Sequence, residues 1–137
     1  MNRRSPGRPT LLVETSAILA VLLQESDGET FAESMEAAEC VTTATIVFEA
    51  TLGLTKQRAH APKHALTLVE MFVQSMDIEV VSFTPEMLPY AVAARERYGR
   101  GRKRLNMGDC LAYAAAKQLG LKLLYKGDDF VRTDVNG

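Results

Sequence analysis

Leu11-Leu12-Val13-Glu14-Thr15-Ser16-Ala17 is the stretch on which the architecture turns. Three consecutive apolar residues suit a strand buried on both faces, and the polar corner Glu14-Thr15-Ser16 runs directly into an apolar helix read from Ala17 to Gln24. In an open parallel sheet, ligands bind in the crevice outside the carboxyl ends of the strands, so a carboxylate at this corner is placed for chemistry. The competing reading of Glu14 is a solvated loop acid.

Upstream, residues 1–9 carry Pro6, Gly7, Pro9 and three arginines, with too little apolar content to order themselves, and they read as a disordered tail. Arginines ahead of an apolar run resemble a signal peptide. Glu14 interrupts that run, however, and no small-residue cleavage site precedes Gln24-Glu25-Ser26-Asp27. No apolar segment approaches the roughly 18 residues of a membrane span. The expectation is a cytoplasmic protein without a membrane partner.

Residues 10–137 read as one domain, with 47% hydrophobic and 24% charged residues, as in an ordinary globular chain. A formal net charge of -1 argues against a uniformly basic nucleic-acid binder, although clustered charge can still seat phosphate. Cys40 and Cys110 fit no metal spacing and are read as reduced, buried thiols.

Downstream, a helix over Glu29–Glu39 leads to a very short strand Cys40-Val41-Thr42. A helix through about Lys56 follows, in which Glu49 is flanked by Ile46, Val47, Phe48, Ala50 and Leu52. An ionised carboxylate there is costly to bury without a compensating partner; alternatively it edges out to solvent beside Thr45 and Lys56. His60 and His64 bracket Pro62, which opens a helix to Ser75, and they read as surface residues. A strand over Ile78–Ser82 precedes a helix to Tyr98, with Thr84 as N-cap and Pro85 at the first helical position. The last helix, Gly108 to Leu119, stops at Gly120. Lys122–Tyr125 is then a buried strand, Lys126-Gly127-Asp128-Asp129-Phe130 turns away from its end, and Thr133-Asp134-Val135 adds a short extended piece.

Before that last helix, Asn106 reads as an N-cap and Asp109 as the third helical residue, kept ionised by the positive end of the helix dipole. Asp109 either supports the helix start or holds an anion ready for function. Arg95, Arg97, Arg100, Arg102, Lys103 and Arg104 crowd into ten positions just upstream. The first two complement a helix C-terminus, whereas the loop cations Arg100, Arg102, Lys103 and Arg104 suit a phosphate backbone.

If the strands are parallel, Glu14, Asp128 and Asp129 share a sheet edge with the helix start at Asp109. Carboxylates gathered without a cation raise one another's pKa values, a conflict that a divalent metal removes. All-oxygen donors favour magnesium or manganese over zinc. Such ions activate water and neutralise charge in phosphoryl transfer, and the basic loop makes a nucleic-acid phosphodiester the natural substrate.

Leu12-Val13-Glu14-Thr15-Ser16-Ala17, Glu49 within its helix, Leu105-Asn106-Met107-Gly108-Asp109-Cys110 with its alanine-rich helix, and Leu124-Tyr125-Lys126-Gly127-Asp128-Asp129-Phe130 with Thr133-Asp134 together resemble PIN-domain ribonucleases. The resemblance spans Leu11 to Val135 and is strongest to the VapC toxins of type II toxin–antitoxin pairs. It implies a three-layer α/β/α PIN-like domain with a central, mostly parallel sheet, and a magnesium-dependent endoribonuclease; the all-oxygen donor set admits Mn2+ in place of Mg2+. It further implies Glu14 and Asp109 as main metal ligands, Glu49 acting through metal or water, Asp129 as fourth acid with Asp128 beside it, and Ser16 as a supporting hydroxyl. A homodimer is implied, as are an RNA substrate and a VapB-type antitoxin whose C-terminal segment occupies the active-site groove in a heterotetramer or larger assembly. One position departs from the pattern, because the family normally carries Asp where this chain has Glu14. Magnesium demands near-ideal octahedral geometry, so the longer side chain is expected to weaken or abolish activity. The alternative is a nuclease-dead PIN module that binds antitoxin or RNA.

Overall fold

The computed structural model describes residues 7–101 and 104–135. Four parallel strands, β1 (Thr10–Val13), β2 (Glu39–Thr43), β3 (Glu79–Val81) and β4 (Lys122–Leu124), form one sheet in the order β3-β2-β1-β4. Among the described residues, six helices flank it: α1 (Thr15–Leu22), α2 (Gly28–Glu36), α3 (Ala44–Arg58), α4 (Pro62–Ser75), α5 (Leu88–Tyr98) and α6 (Met107–Leu119). The expected α/β/α arrangement is therefore present.

Leu12 and Val13 are wholly buried, as a two-sided central strand requires. Leu12 is paired with Val41 of β2 on one side and Leu123 of β4 on the other. The chain moves outward from β1 through β2 to β3, then returns across the sheet to set β4 on the far side of β1. That reversal puts a crevice at the carboxyl ends of β1 and β4. Glu14 leaves the first of these strands, and Asp128 and Asp129 follow the second.

Of the expected tail, residues 1–6 lie outside the described residues. Arg8 and Pro9 are tied to the fold: the Arg8 guanidinium donates to the carbonyls of Glu36 and Ala38, at 2.8 and 2.7 Å, and the Glu39 amide donates to Pro9 O at 2.8 Å.

Several boundaries differ from those read in the sequence. The polar corner is shorter than expected, because α1 starts at Thr15 with Glu14 itself as its N-cap. Glu39 belongs to β2 rather than to α2, which ends at Glu36. The helix expected after Thr84 divides into a 3-10 turn, Pro85–Met87, and α5. Pro89 explains the division: it has no N–H to offer Pro85, and its ring opposes that carbonyl in a continuous α-helix. Thr133-Asp134-Val135 is a run of turns instead of an extended piece. There the Thr133 amide and hydroxyl both donate to Phe130 O, at 3.0 and 2.7 Å, and wind the chain back on itself. Among the described residues, no helix is long and apolar enough to cross a membrane.

Candidate active site

Glu14 is 4% exposed, which excludes the solvated reading. Its Oε1 accepts from the Ser16 amide at 2.9 Å and from the Ser16 hydroxyl at 2.5 Å. Ser16 Oγ in turn accepts from the Lys126 amide at 2.7 Å, linking the corner after β1 to the turn after β4. Burial pushes the Glu14 carboxyl up from 4.5 to about 7 against the lowering effect of the Ser16 bonds, and the charges of Glu49 and Asp109 add to the rise.

Asn106 caps α6 as its sequence position suggested. Its side chain accepts from the Asp109 amide at 2.8 Å, while the Asp109 carboxylate accepts from the Asn106 amide at 3.1 Å. This reciprocal pair fixes Asp109 in the first turn, where it is 5% exposed. Besides the helix end that the sequence pointed to, burial acts on its ionisation. Burial raises this carboxyl from 3.8 to about 6, opposed by the Asn106 amide and reinforced by Asp129 and Glu49.

Glu49 projects from α3 with intermediate exposure. Thr15 Oγ1 donates to its Oε1 at 2.6 Å. Its carboxylate lies so close over Gly108 that a Cβ built there would stand 2.0 Å from Oε2. Neither Thr15 nor Gly108 was singled out from sequence. The signal available for Gly108 is a glycine in the first turn of a helix, a position at which close approach by another group is the physical reason to omit a side chain.

Asp128 and Asp129 are exposed in the turn after β4, and Asp129 is the neighbour whose charge acts on Asp109. Four segments distant in sequence thus bring Glu14, Glu49, Asp109 and Asp129 into one electrostatic neighbourhood. As the side chains are placed, however, no three acids among the described residues stand together as a metal-holding group. Glu14 is turned to Ser16, Glu49 to Thr15 and Asp109 to the Asn106 amide. The donor chemistry suits a hard divalent cation, since these are oxygen ligands whose charge is costly to bury without one.

Of the basic loop, Arg100 and Arg104 are exposed, while Arg102 and Lys103 lie outside the described residues. The loop's base is closed by the Leu105 amide on Tyr98 O at 2.9 Å. Arg132 reaches the same region, donating to Tyr98 O and Arg100 O, each at 3.1 Å. Cys40 and Cys110 are free and buried. The rings of His60 and His64 meet edge to face, 4.9 Å apart.

An apolar surface adjoins the acids. Phe48, Leu52 and Met107 are 63%, 48% and 79% exposed. With Leu111, Glu49 and Gly108 they line a groove of about 420 Å³. Met107 and Leu111 also border a second groove, of about 320 Å³, against Val92 and Arg95.

Residues 11–136 match the PIN domain family. The chain is 36% identical to a VapC ribonuclease of Rhizobium meliloti (strain 1021), over 90% of this chain and 97% of that protein. It is 32% identical to Ribonuclease VapC30 of Mycobacterium tuberculosis, over 91% and 95% of the respective chains. Among solved structures, the Sarcin-Ricin loop cleaving toxin VapC20 of Mycobacterium tuberculosis superposes with a TM-score of 0.70 at 16% identity, covering 88% of this chain and 92% of that one. A DNA-bound VapBC from Salmonella typhimurium gives 0.66 at 18% identity, with 94% and 95% covered; at such identities the likeness concerns the fold. By its sequence match over nearly the whole domain and by its parallel sheet with acids at the carboxyl edge, the chain belongs to the PIN-domain family, in its VapC branch.

Proposed function

We propose that the chain is a magnesium- or manganese-dependent endoribonuclease, the toxin of a VapBC-type toxin–antitoxin pair. The observation that carries this reading is the electrostatic coupling of Glu14, Glu49, Asp109 and Asp129 near the carboxyl ends of β1 and β4, where burial and mutual repulsion raise the pKa values of Glu14 and Asp109. Glu14 and Asp109 would hold the cation, with Glu49 and Asp129 completing the acidic site and Asp128 beside them. Bound there, a divalent ion supplies Lewis-acid activation of water and neutralises charge at a phosphodiester. Ser16 orients Glu14, Asn106 orients Asp109, and Thr15 steadies Glu49. Arg100 and Arg104, with Arg102 and Lys103 between them in sequence, seat the RNA backbone by charge.

The Glu14 side chain gives the nuclease-dead reading its specific support, because its Oε1 is occupied with the Ser16 amide and hydroxyl. The Glu14→Asp variant decides between the two. Aspartate is a favoured N-cap and can keep a bond to the α1 amides, so the variant is expected to fold. It should cleave RNA in magnesium at least tenfold faster than the native chain, and Asp109→Asn should abolish that cleavage. No cleavage of any cellular RNA by the aspartate form would refute the enzymatic reading. Undetectable calorimetric binding of millimolar magnesium and manganese by the native chain would favour the inert module.

For partners, we infer a VapB-type antitoxin and a homodimer, together forming a heterotetramer or larger assembly. The groove lined by Phe48, Leu52, Met107 and Leu111 suits an antitoxin segment that buries apolar side chains there and presents a cation to Glu49 and Asp109.

A further inference from the structure

Lys126 is at the root of the acidic turn, and its two polar ends are engaged in opposite directions. Its amide donates to Ser16 Oγ at 2.7 Å, and that hydroxyl donates to Glu14. Its ammonium pairs with Glu25 at 2.7 Å and Asp27 at 3.1 Å, both in the connection between α1 and α2. Gly127 follows with a φ of +91°, a left-handed conformation that leads the chain into the turn carrying Asp128 and Asp129.

We propose that Lys126 is a positioning residue for the acidic site: its ion pairs with Glu25 and Asp27 clamp the turn, whose amide at 126 then orients the Glu14 carboxylate through Ser16. Ion pairs as exposed as these contribute little to global stability. Their effect lies in geometry. The ammonium ties the connection after α1 to the turn after β4, and the amide ties Ser16 at the start of α1 to the same turn, so one residue fixes this turn against both ends of α1. Groups hydrogen-bonded to metal ligands typically alter metal affinity 10–100-fold when removed, and Ser16, which the Lys126 amide holds, is such a group for Glu14. The assignment of the acids as a cation site is taken from the proposed function, whereas the clamp itself can be read without any metal.

The test compares Lys126→Met, Lys126→Arg and the pair Glu25→Gln with Asp27→Asn, all in the full-length chain. In metal-free protein, hydrogen exchange of the residue-126 amide should accelerate at least tenfold in Lys126→Met and in the double variant, with core amides such as Leu12 and Val13 unchanged. Lys126→Arg should restore protection. Calorimetric titration with Mn2+ should show at least tenfold weaker binding in the same two cases and recovery with arginine. Unchanged exchange at residue 126, equal acceleration throughout the core, or failure of arginine to rescue would overturn the clamp. Absence of Mn2+ binding by the native chain would overturn the reading of the acids, and the exchange measurement would still decide the clamp.

Discussion

Gly108 shows how one missing side chain shapes the site. It lies in a regular helix, where alanine ordinarily stabilises by about 1 kcal/mol, yet a Cβ there would collide with the Glu49 carboxylate. Because that carboxylate is the far end of a flexible side chain, the fold can accommodate the methyl by moving Glu49. Gly108→Ala is therefore expected to leave the urea midpoint within about 1 kcal/mol of native stability while reducing RNA cleavage at least tenfold. Preserved cleavage would show that the position of Glu49 is immaterial.

Glu14 and Asp109 carry the residue-scale dependence on pH. Their folded-state values, about 7 and about 6, stand above their ordinary 4.5 and 3.8. The folded state thus binds protons that the unfolded chain has already released, so the contribution to stability is fully present below the ordinary values of 3.8 and 4.5 and is lost progressively as pH rises to about 6 for Asp109 and about 7 for Glu14. For Glu14 alone the loss is on the order of 3 kcal/mol between its ordinary and its raised value. Metal-free protein should be more resistant to urea at pH 5.5 than at pH 8. Glu14→Gln should flatten that slope, and Mn2+ should restore stability chiefly at pH 8, where the carboxylates are free to bind it. A native slope of the opposite sign would refute the burial argument.

At the scale of elements, helix starts position the proposed chemistry. Glu14 is the N-cap of α1, and Asn106 and Asp109 form the reciprocal cap of α6. Each polar group completes free backbone donors, so local folding and site assembly are the same event. Removing the α6 cap with Asn106→Ala should cost about 1 kcal/mol in chemical denaturation. It should also weaken Mn2+ binding, because Asp109 loses the partner that holds its amide. The turn after β4 is organised differently. Gly127 permits the reversal, while Phe130, 1% exposed, fastens the turn to the core and packs edge to face on Tyr125 at 5.1 Å.

Across the whole molecule, the parallel sheet converts distant segments into neighbours. The strand order β3-β2-β1-β4 sets the ends of β1 and β4 side by side, although more than a hundred residues separate them in the chain. The apolar groove beside Glu49 and Gly108 is the proposed seat of an antitoxin segment. Phe48→Ser should leave folding unaffected, since the ring is 63% exposed, while weakening a VapB-type antitoxin at least tenfold in calorimetry. Equal affinity would assign the groove to another occupant.

Local patterns in the sequence determined the four strands, the helices apart from their ends and the cap at Asn106, because apolar periodicity and backbone hydrogen-bonding needs act over a few residues; they misread Thr133-Asp134-Val135, whose turns depend on bonds to Phe130. They also marked Glu14, Glu49, Asp109 and Asp129 as acids in unusual settings. The division at Pro89 was legible in principle, but the favourable start at Thr84-Pro85 masked it. Tertiary structure alone decided that Glu14 is buried and bonded to Ser16, that Glu49 lies over Gly108, and that Lys126 joins two edges of the crevice. The first two depend on how far water is excluded from each carboxylate and the third on which strands become neighbours, and both are set only when the chain closes around its core.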